Sequence, residues 1–569
     1  MADSISQLLS LAAGNELALA FAGVAGLFGL YWLLSSIRRP IGDMDKIPGP
    51  WKKAYPVVGN LLECLRPDFH KVLLKWADDH GGVVRLKFLW KDALIVTDPQ
   101  ALASIMGRGE GALDKAAGVY ATINYMCDPH GAPNLLTGAA TDTWKAIRRA
   151  VAVSFSTQNI KKKYPLILSR INELVSRVSA QGPDASIDVD QAALRVTLDV
   201  IGLAGFGHDY QSVKQDKPAY DHLLRVLPRC FTEVMLRVAN PARQAVPSLF
   251  KGGDKGSKAF DMFQAEMRIL LEEMKRRGPP PSGDQDIASQ LYRVMAENPD
   301  VSEDRVMSEI GILFVEGFET TGHTTAWTLL HAATSPGVQE RVAEELDAAG
   351  LLSKPGAPPP REMEFEDLKK LPYLTAVAKE AMRMLPVVSL MGRVTEKTVR
   401  VGKYTVPPGV VVGTPLYAIH NTKHNWEAPA EFRPERWLDV PVETYVYNSK
   451  SGGAAPADAE ASSGGGGATS RLAAAAAASK EGITFMPFSD GPRSCVGQSL
   501  AKAEVLTLLA KILGSFKLEL APEMGGLQGV LARESTHLTL QTCGTKGIRM
   551  RMTPRSEHVA AGVVCAQQE

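Results

Sequence analysis

The segment FMPFSDGPRSCVGQSLAKAE, residues 485–504, sets one cysteine, Cys495, in a Gly- and Pro-punctuated loop that opens a helix. A loop of this kind offers a single thiolate to a metal. Within F-x-x-G-x-R-x-C-x-G, Phe488 can shield the sulfur, Gly491 allows a tight turn, Arg493 supplies a cation and Gly497 lets the backbone approach closely. The helix expected over 498–513 turns its positive end toward Cys495 and favours sulfur as the anion. The six cysteines are far apart and include no C-x-x-C pair, so a reducing compartment fits best.

A second constraint stands at the other end. Residues 17–34 are all apolar or glycine, about 27 Å as a helix, which roughly matches a bilayer core. We expect one N-terminal transmembrane helix within residues 1–37. Arg38, Arg39, Lys46, Lys52 and Lys53 follow it, whereas the first sixteen residues hold no Lys or Arg, which puts the bulk of the chain in the cytosol. A basic, proline-rich hinge is expected over 38–54, carrying Pro40 and the run Ile47-Pro48-Gly49-Pro50.

The remainder, 55–556, reads as mainly α with small β-sheets. VVRLKFL and DALIVTD alternate like strands. Helical patterns run from Thr141 to Met274 and from Ser302 to Ala333, and strand-like runs return from Arg393 and Ala532. Residues 449–480 are low-complexity Gly, Ala and Ser that cannot build a core, and read as an insertion. Residues 557–569 are expected to form a flexible tail. A net charge of +1 leaves no electrostatic footprint for nucleic acid.

The helical pattern from Glu309 to Ala333 carries polar residues where a buried helix should be apolar, and such violations mark function. Gly317 would open room against a flat cofactor, with the Glu319 carboxyl and Thr320 hydroxyl beside the gap, a pair suited to holding water and relaying protons. Glu380 and Arg383 lie three apart on one helix face, where they can pair. A buried pair needs further partners to offset desolvation. Trp144 and Arg148 stand one turn apart on another helix.

Taken together, the Cys495 loop, the E-G-F-E-T-T run at 316–321, the E-x-x-R pair and EFRPERWLD at 431–439 resemble the cytochrome P450 superfamily, in its membrane-anchored microsomal form. That resemblance implies heme b (iron protoporphyrin IX) with Cys495 as its axial thiolate, and Glu319 and Thr320 as the acid and hydroxyl of oxygen activation. It implies a Glu380–Arg383–Arg436 structural triad, and Trp144, Arg148, Arg393 and Arg493 as partners of the haem propionates. The implied activity is monooxygenation of an apolar, lipid-derived substrate such as a fatty acid, sterol or terpenoid/carotenoid, at an endoplasmic reticulum membrane with the catalytic domain cytosolic. Pocket walls are implied around 107–136, 313–321, 386–393 and 533–538, with Phe318, Val387, Val388 and Leu390. No G-x-G-x-x-G fingerprint is evident, so NADPH would act through an NADPH–cytochrome P450 reductase, with cytochrome b5 as a further partner. Two alternatives stay open: a reductase-independent isomerase, dehydratase or peroxygenase on the same scaffold, and a non-enzymatic haem sensor or electron carrier. No histidine, His323 and His420 included, is assigned as a ligand.

Overall fold

A computed structural model describes residues 42–55, 58–88, 91–107, 111–214, 222–240, 242–281, 283–438, 484–536, 538–542 and 547–562. The expected membrane span and the 449–480 insertion lie outside the described residues. Among the described residues, no helix is long and apolar enough to cross a membrane.

The longer helices are α1 (Phe69–His80), α2 (Ala117–Cys127), α3 (Asp142–Ser154), α4 (Thr157–Ala180), α5 (Val189–Val200), α6 (His222–Ala239), α7 (Gly253–Arg277), α8 (Ile287–Glu297), α9 (Glu303–Thr334), α10 (Val338–Ala348), α11 (Pro372–Met384) and α12 (Gln498–Ser515). The organising element is α9. Its 32 residues start where the Ser302 hydroxyl accepts from the Arg305 N–H, with Glu303 and Asp304 in the first turn, the arrangement a helix N-terminus favours. It is buried nearly all round, as a helix at the centre of a core must be. Around it pack α2, α5, α7, α11 and α12.

The closest crossing is with α5. A Cβ on Gly322 would stand 2.7 Å from Leu194 Cδ2 and 3.1 Å from Leu194 Cα, so the two helices meet where one has no side chain. At the end of α5 the chain makes a π-helical turn, Ile201–Phe206, which leans Ile201 on Gly317 of α9. Trp327, 1% exposed, donates its indole N–H to the Leu540 carbonyl at 3.1 Å and ties α9 to the C-terminal sheet.

Five strands form the main sheet: β1 (Val83–Phe88), β2 (Lys91–Val96), β3 (Asp114–Lys115), β5 (Met391–Val394) and β8 (Val411–Thr414), in the order β1-β2-β8-β5-β3. Only the β2–β8 pairing is parallel. Its inner face makes a second, smaller core with Leu94, Val96, Leu102, Ile105 and Val412. The other strands are β4 (Ser186–Asp188), β6 (Val399–Val401), β7 (Tyr404–Val406), β9 (Phe516–Leu520), β10 (Glu534–Thr536), β11 (Leu540–Thr542) and β12 (Arg549–Pro554). β12 lies between β4 and β9, and β10 pairs β11.

The mainly α architecture with small sheets is the one expected, with two departures. Ser186–Asp188 interrupts the helical stretch after Thr141 because it pairs with β12, more than three hundred and fifty residues on, a contact no local pattern reveals. The C-terminal boundary also moves: Glu557–Ala560 is a helical turn with Val559 1% exposed, and the Glu557 carboxylate accepts from the Gly356 N–H at 3.0 Å. The chain therefore packs past 556.

Gly322→Val should force α5 and α9 apart and lower stability by about 1–3 kcal/mol, read as a drop in the urea midpoint at unchanged m-value.

Candidate haem-thiolate site

Cys495 sits three residues before α12, in a loop held by its own backbone. Its N–H donates to the Phe488 carbonyl at 2.8 Å, and Asp490 accepts from the Gly491 N–H at 2.7 Å. Gly491 has φ +67°, and a Cβ there would lie 1.9 Å from the Met106 carbonyl oxygen, so glycine is obligatory. Ser489 adopts φ +61° without being glycine, a strained conformation of the sort found where a loop presents a functional group. Phe488 packs against the main core, with the Lys502 ammonium 5.2 Å from its ring centroid. Gly497 is less demanding than expected: a Cβ there would make ordinary 3.5 Å contact with Phe155.

Cys495 is exposed although Ser494 beside it is buried, and in the middle of α9 only Glu316, Gly317 and Thr320 are partly exposed. Glu316 lies near enough for its charge to act on the Cys495 sulfur, so the middle of α9 faces the cysteine loop. Enough protein surrounds the sulfur that burial pushes its thiol up to about 11; Glu316 adds to this, while the Gly497 N–H, Arg148 and Lys502 oppose it. The loop and helix end alone therefore do not make the thiolate expected of them.

On α9 the expected pair separates. Thr320 donates its hydroxyl back to the Glu316 carbonyl at 2.9 Å and remains half-exposed. Glu319 is 5% exposed and turns toward Thr539, whose hydroxyl donates to its Oε1 at 3.1 Å. Its Oε2 is buried without a partner. His323, one turn on, approaches the same Oε1 at 3.6 Å and holds Asp190 of α5 at 2.7 Å through Nδ1. Burial disfavours charge on this ring, but Asp190 and Glu319 outweigh it and raise its pKa to about 10. Gly317 does not face open room: a Cβ there would lie 2.6 Å from Ile201, so its smallness serves the helix crossing. Phe318, 1% exposed, packs in the core with its ring tilted against Phe314 at 5.6 Å. Val387 and Val388 stay partly exposed and Leu390 is 38% exposed.

The β5–β3 edge of the main sheet collects cations. β3 pairs β5 with Lys115 directly opposite Arg393, a like-charge cross-strand pair that is unfavourable unless an anion joins it. Arg393 is 1% exposed, and its Nε and Nη1 have no partner. Burial, with Arg393 and Arg493 nearby, pulls the Lys115 ammonium down to about 7. Arg493 pairs with Asp114 at 2.5 Å and donates to the Gly138 carbonyl at 2.6 Å, leaving Nη1 unpartnered. Two buried guanidiniums and Lys115 thus gather with only Asp114 and Glu316 to balance them, and the guanidinium N–H groups without partners fit a ligand bearing carboxylates, as the propionates of haem do.

Trp144 and Arg148 are placed otherwise than expected. The Trp144 indole N–H donates to the Leu135 carbonyl at 3.0 Å, and the ring supports Arg493, whose guanidinium carbon lies 3.9 Å from its centroid. Arg148 donates to the Ser494 carbonyl at 2.6 Å, bracing the cysteine loop. The Trp144 N–H is thus engaged, while Arg148 commits one terminal nitrogen to the loop.

The supporting triad assembles. Arg383 donates to both Glu380 oxygens at 2.9 and 3.0 Å, with both residues fully buried. Arg436 Nε adds a bond at 3.0 Å. Trp437 and the Arg433 backbone N–H, which sequence reasoning missed, complete the shell at 2.9 and 3.0 Å. Burial works against the Glu380 charge, yet Arg383 and the other donors hold its pKa below the usual carboxylate value.

Sequence reasoning also missed Lys115, Asp114, Glu316, Asp190 and Thr539. Burial pushes Glu316 up to about 7, Glu319 adds to this and Lys115 opposes it. Its position in an apolar helix was a visible signal; the others depend on pairings between distant segments.

A loop-borne cysteine at a helix start, a buried acid–arginine support and a cation-rich sheet edge define a haem-thiolate class of site. Residues 48–528 match the family model for Cytochrome P450, and the chain belongs to that family of monooxygenases. It is 25% identical over 494 residues to the chloroplastic carotene epsilon-monooxygenase of Arabidopsis thaliana, covering 85% of this chain and 81% of that one. It is 25% identical over 487 residues to a geranylhydroquinone 3''-hydroxylase of Arnebia euchroma (82% and 86%). It is 23% identical over 547 residues to a ganoderic acid synthetase of Ganoderma lucidum (88% and 92%).

Arg383→Ala leaves Glu380 buried and short of donors, and should cost about 3–5 kcal/mol in chemical denaturation. Because the folded pKa of His323 is raised, its charge stabilises the protein fully below its ordinary value of 6.5 and ceases to as pH rises through about 10. The thermal advantage of the parent over His323→Phe should shrink across that window.

Proposed function

We propose that the protein is a haem-thiolate monooxygenase that inserts one oxygen atom from dioxygen into an apolar, isoprenoid or other lipid-derived substrate, with electrons from an NADPH-dependent reductase. The observation that carries it is Arg393, a fully buried cation beside Arg493 of the Cys495 loop, with two N–H groups that have no partner among the described residues. Haem, when bound, supplies the redox chemistry, and its iron takes Cys495 as thiolate. Arg393, Arg493 and Lys115 would hold its propionates. Glu319 and Thr320 would move protons to the reaction side of the cavity, Thr320 from its half-exposed hydroxyl and Glu319 from the unpartnered Oε2. Val387, Val388 and Leu390 offer apolar surface for the substrate. The names of the relatives point to carotenoid and prenylated substrates, which agrees with an apolar pocket and with a membrane anchor over 17–34. We place the protein on the endoplasmic reticulum membrane from that segment and its basic flank.

Cys495→Ala should abolish the red-shifted Soret band of the reduced carbon monoxide complex; its retention would remove Cys495 as the ligand. Arg393→Gln should lower haem content by about an order of magnitude while the remaining holoprotein keeps that band, since two charge-assisted bonds are lost but not the thiolate. Thr320→Ala should divert electrons into hydrogen peroxide. Isoprenoid, sterol and fatty-acid panels, scored by the spin-state shift of the purified holoprotein and then by oxygenated product with NADPH and reductase, test the substrate class. Turnover with a lipid hydroperoxide alone would favour the reductase-independent reading instead.

A further inference from the structure

We propose that His420 is a positioning residue for the haem ligand: its ring accepts the hydrogen bond that holds the Cys495 loop in the strained form that presents the sulfur. This rests on the haem-thiolate reading above. His420 lies in the short helix Leu416–Asn421 and is wholly buried. Its Nε2 accepts from the Met486 N–H at 3.0 Å. A buried backbone N–H in irregular chain needs such a partner, and here a side chain from another segment supplies it.

The ring is itself fixed to the supporting helix. Arg383 donates to the His420 carbonyl at 2.9 Å, and Asn421 beside it donates to the Met384 carbonyl at 3.1 Å, so the short helix is tied to the end of α11. Leu416 and Ile419 share the smaller core with Met486. Accepting at Nε2 puts the ring proton on Nδ1. Burial and the nearby Arg383 push the imidazole pKa down to about 3, with the Met382 backbone opposing. The ring therefore stays neutral at physiological pH, and its lone pair stays available.

From Met486 the hold passes to the sulfur through two further bonds. The Met486 carbonyl accepts from the Ser489 N–H at 2.9 Å, and the Phe488 carbonyl accepts from the Cys495 N–H at 2.8 Å. Between them stands Ser489 at φ +61°. A residue other than glycine persists there only when its surroundings over-determine it. Arg148 on the Ser494 carbonyl and Gly491 against Met106 act beyond Ser489, and His420 acts before it, so the strained residue stands between two holds. Releasing Met486 lets Ser489 relax, and the Phe488 carbonyl then turns away from Cys495.

The test uses the full-length holoprotein and the spectrum of its reduced carbon monoxide complex, with haem content measured separately. His420→Leu removes the acceptor, and His420→Gln returns an oxygen near the Nε2 position. His420→Leu should raise the ratio of unshifted to red-shifted Soret band at least about tenfold over the parent, as a lost buried hydrogen bond predicts, at unchanged haem content. His420→Gln should restore the parent spectrum. Ser489→Gly supplies the second arm, because glycine takes φ +61° without strain; added to His420→Leu, it should recover most of the red-shifted band. A parent-like spectrum in His420→Leu, or an equal loss in the Gln and Leu variants, would overturn the proposal and leave the haem-thiolate reading intact. A parent without the red-shifted band would overturn both. Should His420→Leu accumulate no holoprotein, the double variant decides: recovered holoprotein with the red-shifted band supports the hold, and continued absence overturns it.

Discussion

The Glu380 carboxylate, fully buried and surrounded by N–H donors from its own helix and from the 433–437 segment, is the interaction on which the site rests. Desolvating such a charge costs several kcal/mol, recovered only when every lone pair is met. The requirement is geometric as well as energetic. Arg383 on α11 cannot satisfy Glu380 and also donate to the His420, Pro429 and Glu431 carbonyls unless the 420–438 segment lies against that helix. His420 in turn accepts from the Met486 N–H at 3.0 Å. A chain of bonds therefore runs from one buried acid to the first turns of the cysteine loop.

Much of this was legible in the sequence, because the informative signals were local. The Cys495 loop, the E-x-x-R pair and the polar residues in a long apolar helix are short-range patterns, and the helix expected over 302–333 forms over Glu303–Thr334. What was illegible depends on distant pairings. Lys115 gains meaning only when β3 pairs β5, and Asp190 only when α5 crosses α9 at Gly322. Gly317 shows the converse: a correct sense that the residue must be small, attached to a wrong neighbour, since Ile201 fills the space. Trp144 and Arg148 were grouped correctly by spacing, but spacing does not say which acceptor each finds.

α9 also reconciles two opposed needs. It must be apolar enough to anchor the core and still carry three ionisable groups at mid-length, and it does so by turning them to different sides. Glu316 acts on the Cys495 sulfur, whereas Glu319 and His323 face α5 and the C-terminal sheet. The seam at Gly322 thus brings Asp190 within bonding distance of His323.

The register that sets Lys115 against Arg393 has a consequence for biogenesis. A polypeptide that buries mutually repelling ammonium and guanidinium groups at a sheet margin is frustrated there until a dianion arrives. By mass action, whatever neutralises that margin adds its binding free energy to conformational stability.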